Sequence, residues 1–404
     1  MRRLALAEHQ TARGVRLTRV EREALQETIP EVAVTPTRGA GAGPARFDVT
    51  PGSWVGVAQV TLSLLVEIAP KLPVSRVLFL LTYARDSRGW KLGDLTALEK
   101  RSDLVATVVG LFCAEVQRSL RFGLVHGYQP REELLHTLRG RVCMEERARR
   151  HIGVPATCAY DELTADIPEN RVLKAALTQV SCLPIHAAAR ARRLLAGFAG
   201  VSDLADALSV PPIEPTRMNG RLQPALDLAR LILGGAGIEA NAGRTSAPSI
   251  LFDMDRIFED FVVAALRRAL GLTEWTFLQG AGRKRLSLDR AGTLPLAPDF
   301  SWWEAGRCVS IGDAKYKRTT RGEHADLYQL LAYTSAANLS AGLLIYAAGE
   351  EPGKSHTHEV RHGDKTLHVA ALDLATPPRH LLEQIDCIAQ TARRLKSVAG
   401  RSAA

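Results

Sequence analysis

The stretch Arg307-Cys308-Val309-Ser310-Ile311-Gly312-Asp313-Ala314-Lys315-Tyr316-Lys317 constrains this chain more than any other. It starts as an apolar, β-prone run, and strand side chains alternate between two faces. Ser310, Gly312 and Ala314 therefore share one face, small enough for a helix to pack closely on a central strand. Asp313 and Lys315 share the other. A strand leaving a core with a carboxylate and an ammonium on one side has two readings. It is an ordinary ion pair, or it is half of a metal-dependent phosphodiesterase site.

The neighbouring segments weigh on that choice. Residues 254–270 carry an apolar stripe of Ile257, Phe258, Phe261, Val262, Ala265 and Leu266, which predicts a helix. Strand-like runs follow at 284–289, 294–303 and 307–317, then a helix at 323–338 and a strand at 341–348. Alternating runs at 357–362 and 365–374 and a helix at 378–396 close the chain. Asp299 follows Pro298 on the strand before Asp313. If the two strands are hairpin neighbours, the carboxylates meet at cross-strand distance. Such a pair repels unless a cation lies between them, and magnesium favours oxygen ligands of this kind. It would polarise a phosphodiester and acidify an attacking water, with Lys315 orienting that water or stabilising the phosphorus centre. The pattern Pro298-Asp299 … Asp313-Ala314-Lys315 is that of the PD-(D/E)xK nucleases. Glu259 offers a third carboxylate, or serves as a helix-dipole carboxylate. Asp326, Gln329 and Tyr333 share a helix face. Gln329 and Tyr333 resemble a Q-x-x-x-Y element of some nucleases of that fold, or form a polar helix edge.

The rest of the chain suggests a multidomain α/β protein of 404 residues. Residues 1–74 read as a β-rich region, with a Gly/Ala/Pro loop at 35–47 containing Arg38 and Arg46. Residues 75–240 read as mainly helical, including 131–150. Small and polar residues at 234–248 mark a boundary, and 245–404 forms the candidate nuclease domain. The six cysteines show no C-x-x-C pair, which excludes a zinc ribbon and a disulfide framework and fits a reducing cytoplasm. No signal peptide or spanning segment is predicted, so a soluble cytoplasmic protein without membrane contact is expected. A net charge of +9 permits a polyanionic partner without demanding one.

Arg283, Lys284 and Arg285 precede the acidic strands, and Lys317, Arg318 and Arg321 follow them. They are candidate contacts to a DNA backbone, or solvated turns. Residues 186–197 form a basic helix face, suited to solvation or to a partner. Residues 348–355 fit a relaxed phosphate-loop pattern, but the strand-like residues after Ser355 do not open a helix, so a hairpin turn is expected. No G-x-S-x-G elbow supports serine hydrolysis. Trp302 and Trp303 read as packing beside the site.

With these residues in view, the chain resembles the McrC family, the nuclease subunits of modified-cytosine (type IV) restriction systems. The motifs at 256–262, 298–300, 312–317, 326–333 and 342–346 carry the likeness most specifically. Those at 54–73, 138–142 and 158–177 carry it loosely. The resemblance implies a magnesium site at Asp299, Asp313 and Lys315, with DNA as substrate. It implies an McrB-like AAA+ ring that binds GTP itself, recognises DNA, and is stimulated by the N-terminal part of this chain. The 35–47 loop is where that contact would be sought. It also admits self-association through the C-terminal domain. The competing reading is a non-cleaving DNA-binding adaptor or GTPase activator that keeps the nuclease fold. An end-dependent exonuclease is a variant of the first.

Overall fold

The computed structural model describes residues 1–37, 46–85, 103–142, 155–204, 213–236, 248–280, 284–317, 323–347 and 355–401. In chain order the N-terminal part contributes β1 (Arg2–Ala7), β2 (Ala12–Arg16), α1 (Arg19–Thr28), β3 (Ala33–Pro36), β4 (Arg46–Thr50), β5 (Trp54–Gln59) and β6 (Leu64–Ala69). Thr18 and Glu21 cap α1 reciprocally, each side chain answering the other's backbone N–H. Strands β2, β4 and β3 form one small sheet, and β1, β6 and β5 belong to another. Leu6, Leu25, Ile29, Val49, Leu64 and Val66 fill the core between them. Most of the 35–47 loop lies outside the described residues.

The middle part holds α2 (Val74–Arg85), α3 (Leu104–Leu120), β7 (Gly127–Leu135), β8 (Arg141–Val142), β9 (Ala156–Thr164), α4 (Pro168–Cys182), α5 (Ala188–Leu195) and α6 (Gln223–Ala236). Phe112 of α3, Leu177 of α4 and Ile232 of α6 are among its buried anchors. The expectation of helix over 131–150 is corrected here as far as residue 142; residues 143–150 lie outside the described residues. Gly127–Leu135 pairs antiparallel with Ala156–Thr164 along its whole length, and Arg141–Val142 joins the same ribbon. A helix would need a core to bury its stripe. Here Leu134 stays 48% exposed, and the backbone groups are satisfied instead by a strand distant in sequence.

The C-terminal part begins with β10 (Ser249–Asp253), which pairs antiparallel with β5 and so extends the N-terminal sheet. Asp253 then caps α7 (Met254–Leu270), accepting from the N–H groups of Asp255 and Arg256 at 2.9 and 3.3 Å. After α7 come β11 (Phe277–Gln279), β12 (Leu286–Ser287), β13 (Pro295–Leu296), β14 (Phe300–Glu304) and β15 (Arg307–Lys315). The chain continues through α8 (His324–Ala336), β16 (Ala341–Ala347), β17 (His356–Glu359), β18 (Thr366–Leu372) and α9 (Pro378–Arg401). The main sheet has the order β11-β14-β15-β16-β18-β17. β15, β16 and β18 run parallel and the other pairings are antiparallel. A parallel neighbour needs a crossover, and α8 supplies it between β15 and β16.

The even-numbered face of β15 packs with α7 and α9: Ala314 and Tyr316 share a core with Phe258, Phe261 and Ile385. The odd-numbered face meets α8, where Ile311 packs with Tyr333. The small-residue face expected beneath a helix is thus the one covered by α7. Among the described residues no helix is long and apolar enough to cross a membrane.

Candidate active site

Asp313 is placed by β15 and Asp299 by the residue just before β14. The hairpin register pairs Phe300 with Gly312, which sets Asp299 opposite Asp313. The two residues then lock each other. The Asp299 N–H donates to Asp313 Oδ1 at 3.2 Å, and the Ala314 N–H donates to Asp299 Oδ2 at 2.7 Å. Lys315 Nζ lies 2.6 Å from Asp313 Oδ2 and 3.8 Å from Asp299 Oδ2. The Asp313 side chain is 1% exposed, Asp299 15% and Lys315 25%, so the group opens to solvent on the Lys315 side. The Lys315 ammonium is the ion-pair partner of Asp313 Oδ2.

The electrostatics follow from that crowding. Burial, and then the Asp313 charge, push the Asp299 carboxyl up to about 8. Burial alone would lower the Lys315 ammonium, but Asp313 and Asp299 outweigh it and leave its pKa raised. Two carboxylates and one lysine leave a negative excess, which a proton on Asp299 removes. Such a group accepts positive charge.

Tyr333 and Gln329 of α8 reach the same place. Gln329 Nε2 donates to Tyr333 Oη at 2.7 Å, and Tyr333 Oη donates to the Ala297 carbonyl at 3.1 Å, two residues before Asp299. Burial, then the Asp313 and Asp299 charges, push the Tyr333 hydroxyl up to about 12, so it remains a donor. Asp326, expected on their face, turns elsewhere: it accepts from Tyr346 Oη at 2.6 Å and faces Lys317 at 3.5 Å.

Glu259 is half-buried on α7, and burial raises its pKa, with Asp313 among the smaller contributors. Its side chain accepts from Gln279 Nε2 at 3.3 Å, and the same amide donates to Asp260 at 2.6 Å. Among the described residues no three His, Cys, Asp or Glu side chains gather closely enough to hold a metal. The Asp299–Asp313 pair therefore stands without Glu259 as a third close ligand. Magnesium keeps several waters and is often held by one or two carboxylates, so a mutually locked carboxylate pair that opens to solvent beside Lys315 fits it. Gln279 is a neighbour of the site that sequence reasoning misses. Its signal is the short β-prone run 276–279 ending at Gly280.

The basic candidates divide. Lys284 Nζ sits 4.5 Å from the Trp303 ring centre, and Arg285 is exposed. Lys317 is drawn into an ion pair with Glu323 at 3.0 Å. Arg283, Arg318 and Arg321 lie outside the described residues, as do 348–354. The residues following Ser355 are strand, paired with β18.

Residues 49–347 match the family model described as the McrBC 5-methylcytosine restriction system component. The chain belongs to that family. No curated protein matches it. Among solved structures, it is similar to a chain of the refined half-complex from the tetradecameric assembly of Thermococcus gammatolerans McrB AAA+ hexamers with bound McrC. That likeness has a TM-score of 0.58 at 16% identity, over 96% of this chain and 99% of that one. It supports a shared fold for the family member. A second match, to the cryo-EM structure of the Thermococcus gammatolerans McrBC complex, has a TM-score of 0.44 at 18% identity over 67% of this chain and 88% of that one.

Proposed function

We propose that this McrBC family member is a magnesium-dependent endodeoxyribonuclease subunit of a modified-cytosine restriction system, with a PD-(D/E)xK centre at Asp299, Asp313 and Lys315. The observation that carries the reading is the reciprocal lock that holds Asp299 against Asp313, with Lys315 beside both. In this reading Asp299 and Asp313 hold the metal ion. When bound, magnesium supplies Lewis acidity toward a phosphodiester oxygen and lowers the pKa of water. Lys315, kept protonated by the two aspartates, gives its charge to the reacting phosphate or orients the water. Tyr333 pins the Ala297 carbonyl and so fixes the approach to Asp299. Lys284, over the Trp303 ring, and the exposed Arg285 suit contacts to the DNA backbone. Arg283, Arg318 and Arg321 are proposed with them on sequence position alone.

The partner reading rests on family membership and on the similar structure, whose McrC is bound to McrB AAA+ hexamers. This chain is proposed to bind a GTP-hydrolysing AAA+ ring and to stimulate it, while GTP stays on the ring. The test is plasmid cleavage by the full chain, with and without a cognate AAA+ GTPase, on methylated and unmethylated DNA with magnesium and GTP. Cleavage of the methylated plasmid is expected, and Asp313→Ala or Lys315→Ala should reduce it by about 100-fold or more. Cleavage that survives both substitutions would sink the site assignment. Stimulated GTP hydrolysis with no cleavage would favour the adaptor.

A further inference from the structure

Away from this centre, three elements of the middle part bring arginines to one face. Arg190 of α5 donates to Gln117 Oε1 of α3 at 2.6 Å. Seven residues on, Gly197 lies against Leu120 near the end of α3. The helix edge carrying Arg190 and Arg193 therefore runs beside the α3 edge that carries Gln117 and ends at its C-cap residue Arg121, each pair being about one turn apart. The third element is the 3-10 turn Gly220–Leu222. Its Arg221 donates to the Gly123 carbonyl at 3.1 Å, and the Arg221 carbonyl accepts from Ser119 at 3.2 Å. Arg221 also lies 5.6 Å from the ring centre of Phe122, which is 78% exposed.

The partners of these cations are neutral. Arg190 has an amide, and Arg221 has a carbonyl and a ring. Arg121 and Arg193 are exposed. Among the described residues none of the four pairs with a carboxylate. Arg118, by contrast, is neutralised by Glu115 at 3.0 Å. Four uncompensated guanidinium groups, whose forked donors match phosphate oxygens, make a surface complementary to a polyanion.

We propose that this face, formed by the end of α3, α5 and the Gly220–Leu222 turn, binds the phosphate backbone of duplex DNA apart from the catalytic centre. The proposal rests on the reading of DNA as substrate and goes beyond it. It assigns a second contact that holds the duplex without reading its sequence. The basic face noted at 186–197 thereby acquires a ligand class.

Binding is measured by fluorescence anisotropy of a labelled duplex of about 30 base pairs across a salt series. The full-length Asp313→Ala protein is used, so that the duplex stays uncut. Arg121→Glu combined with Arg193→Glu should weaken binding roughly ten-fold or more. It should also lower the slope of log affinity against log salt by about 2, since each phosphate that is no longer neutralised lowers it by about 0.9. Arg379→Glu, on exposed α9 surface, should leave both almost unchanged. The pair Arg121→Gln and Arg193→Gln should show the same effect at smaller size, which guards against misfolding caused by charge reversal. Unchanged affinity and slope in the paired variants would overturn the proposal, as would an equal loss in Arg379→Glu. Loss of AAA+ binding with duplex binding intact would also overturn it. Cleavage is scored separately in the parent chain. A parent that binds duplex but never cuts it would count against the nuclease and leave this face standing.

Discussion

Asp299 couples the candidate centre to stability. Its carboxyl titrates at about 8 in the fold, against about 4 in an unfolded chain. Between those values the folded protein keeps a proton that the unfolded chain has lost, so stability falls as pH rises from about 4 to about 8. Asp299→Asn removes that slope, and without divalent ions it should melt above the parent at about pH 9. In the proposed reading magnesium would compete with the same proton, so it should raise the parent's melting temperature more at about pH 9 than at about pH 6. Thermal melts with EDTA or magnesium at both pH values check this, and equal magnesium shifts would count against a metal at Asp299. Asp299, Asp313 and Lys315 were legible because strand alternation and hairpin adjacency are local rules. Glu259 and Lys317 were not. Gln279 lies on another strand and engages Glu259, and Glu323 at the start of α8 pairs with Lys317 on the surface.

At the scale of elements, β15 depends on Gly312. A Cβ there would collide with the Leu343 carbonyl, which belongs to the ladder, and with the Phe300 ring, which is buried and stacked on Phe277. Gly312→Ala should destabilise the protein by about 1–3 kcal/mol, and the displaced Phe300 would shift Asp299 with it. Chemical denaturation reads the first effect and cleavage the second; a variant with parental stability would refute the packing account. Gly342 plays the same part for α8, since a Cβ would lie 2.6 Å from Thr334 Cγ2. The helix-strand order around the site was readable because α7 carries a clear apolar stripe and β15 and β16 are compact β-prone runs on either side of a helix-length segment. The β7–β9 ribbon was not, since its pairing is non-local and its side chains face water. Helix α1 was missed although Thr18 and Glu21 spell a capping box, because the β-rich residues on both sides masked ten helical ones.

For the whole molecule, the segment expected to open an independent C-terminal domain is tied to the N-terminal sheet. β10 pairs with β5, Ser53 donates to Asp255 at 2.6 Å, and Lys71 Nζ stands 3.8 Å over the Tyr316 ring beside Lys315. The main core also runs without a break from Val55 through the middle helices to Ala392. An isolated 245–404 fragment should therefore bind an apolar dye and unfold without a sharp transition, whereas the full chain melts cooperatively. A fragment that melts as sharply as the parent would show that the C-terminal part folds alone. Sequence by itself determined the chemistry available: the acidic pair, the lysine two residues on, the small face beneath a helix, and the basic runs. These follow from composition and from periods of two and 3.6, which local residues set. Only the tertiary structure decided that Glu259 is held aside, that β10 belongs to the N-terminal sheet, and that arginines from three segments share one face. Those outcomes depend on contacts between residues far apart in the chain, where burial and pairing energies outweigh local preference.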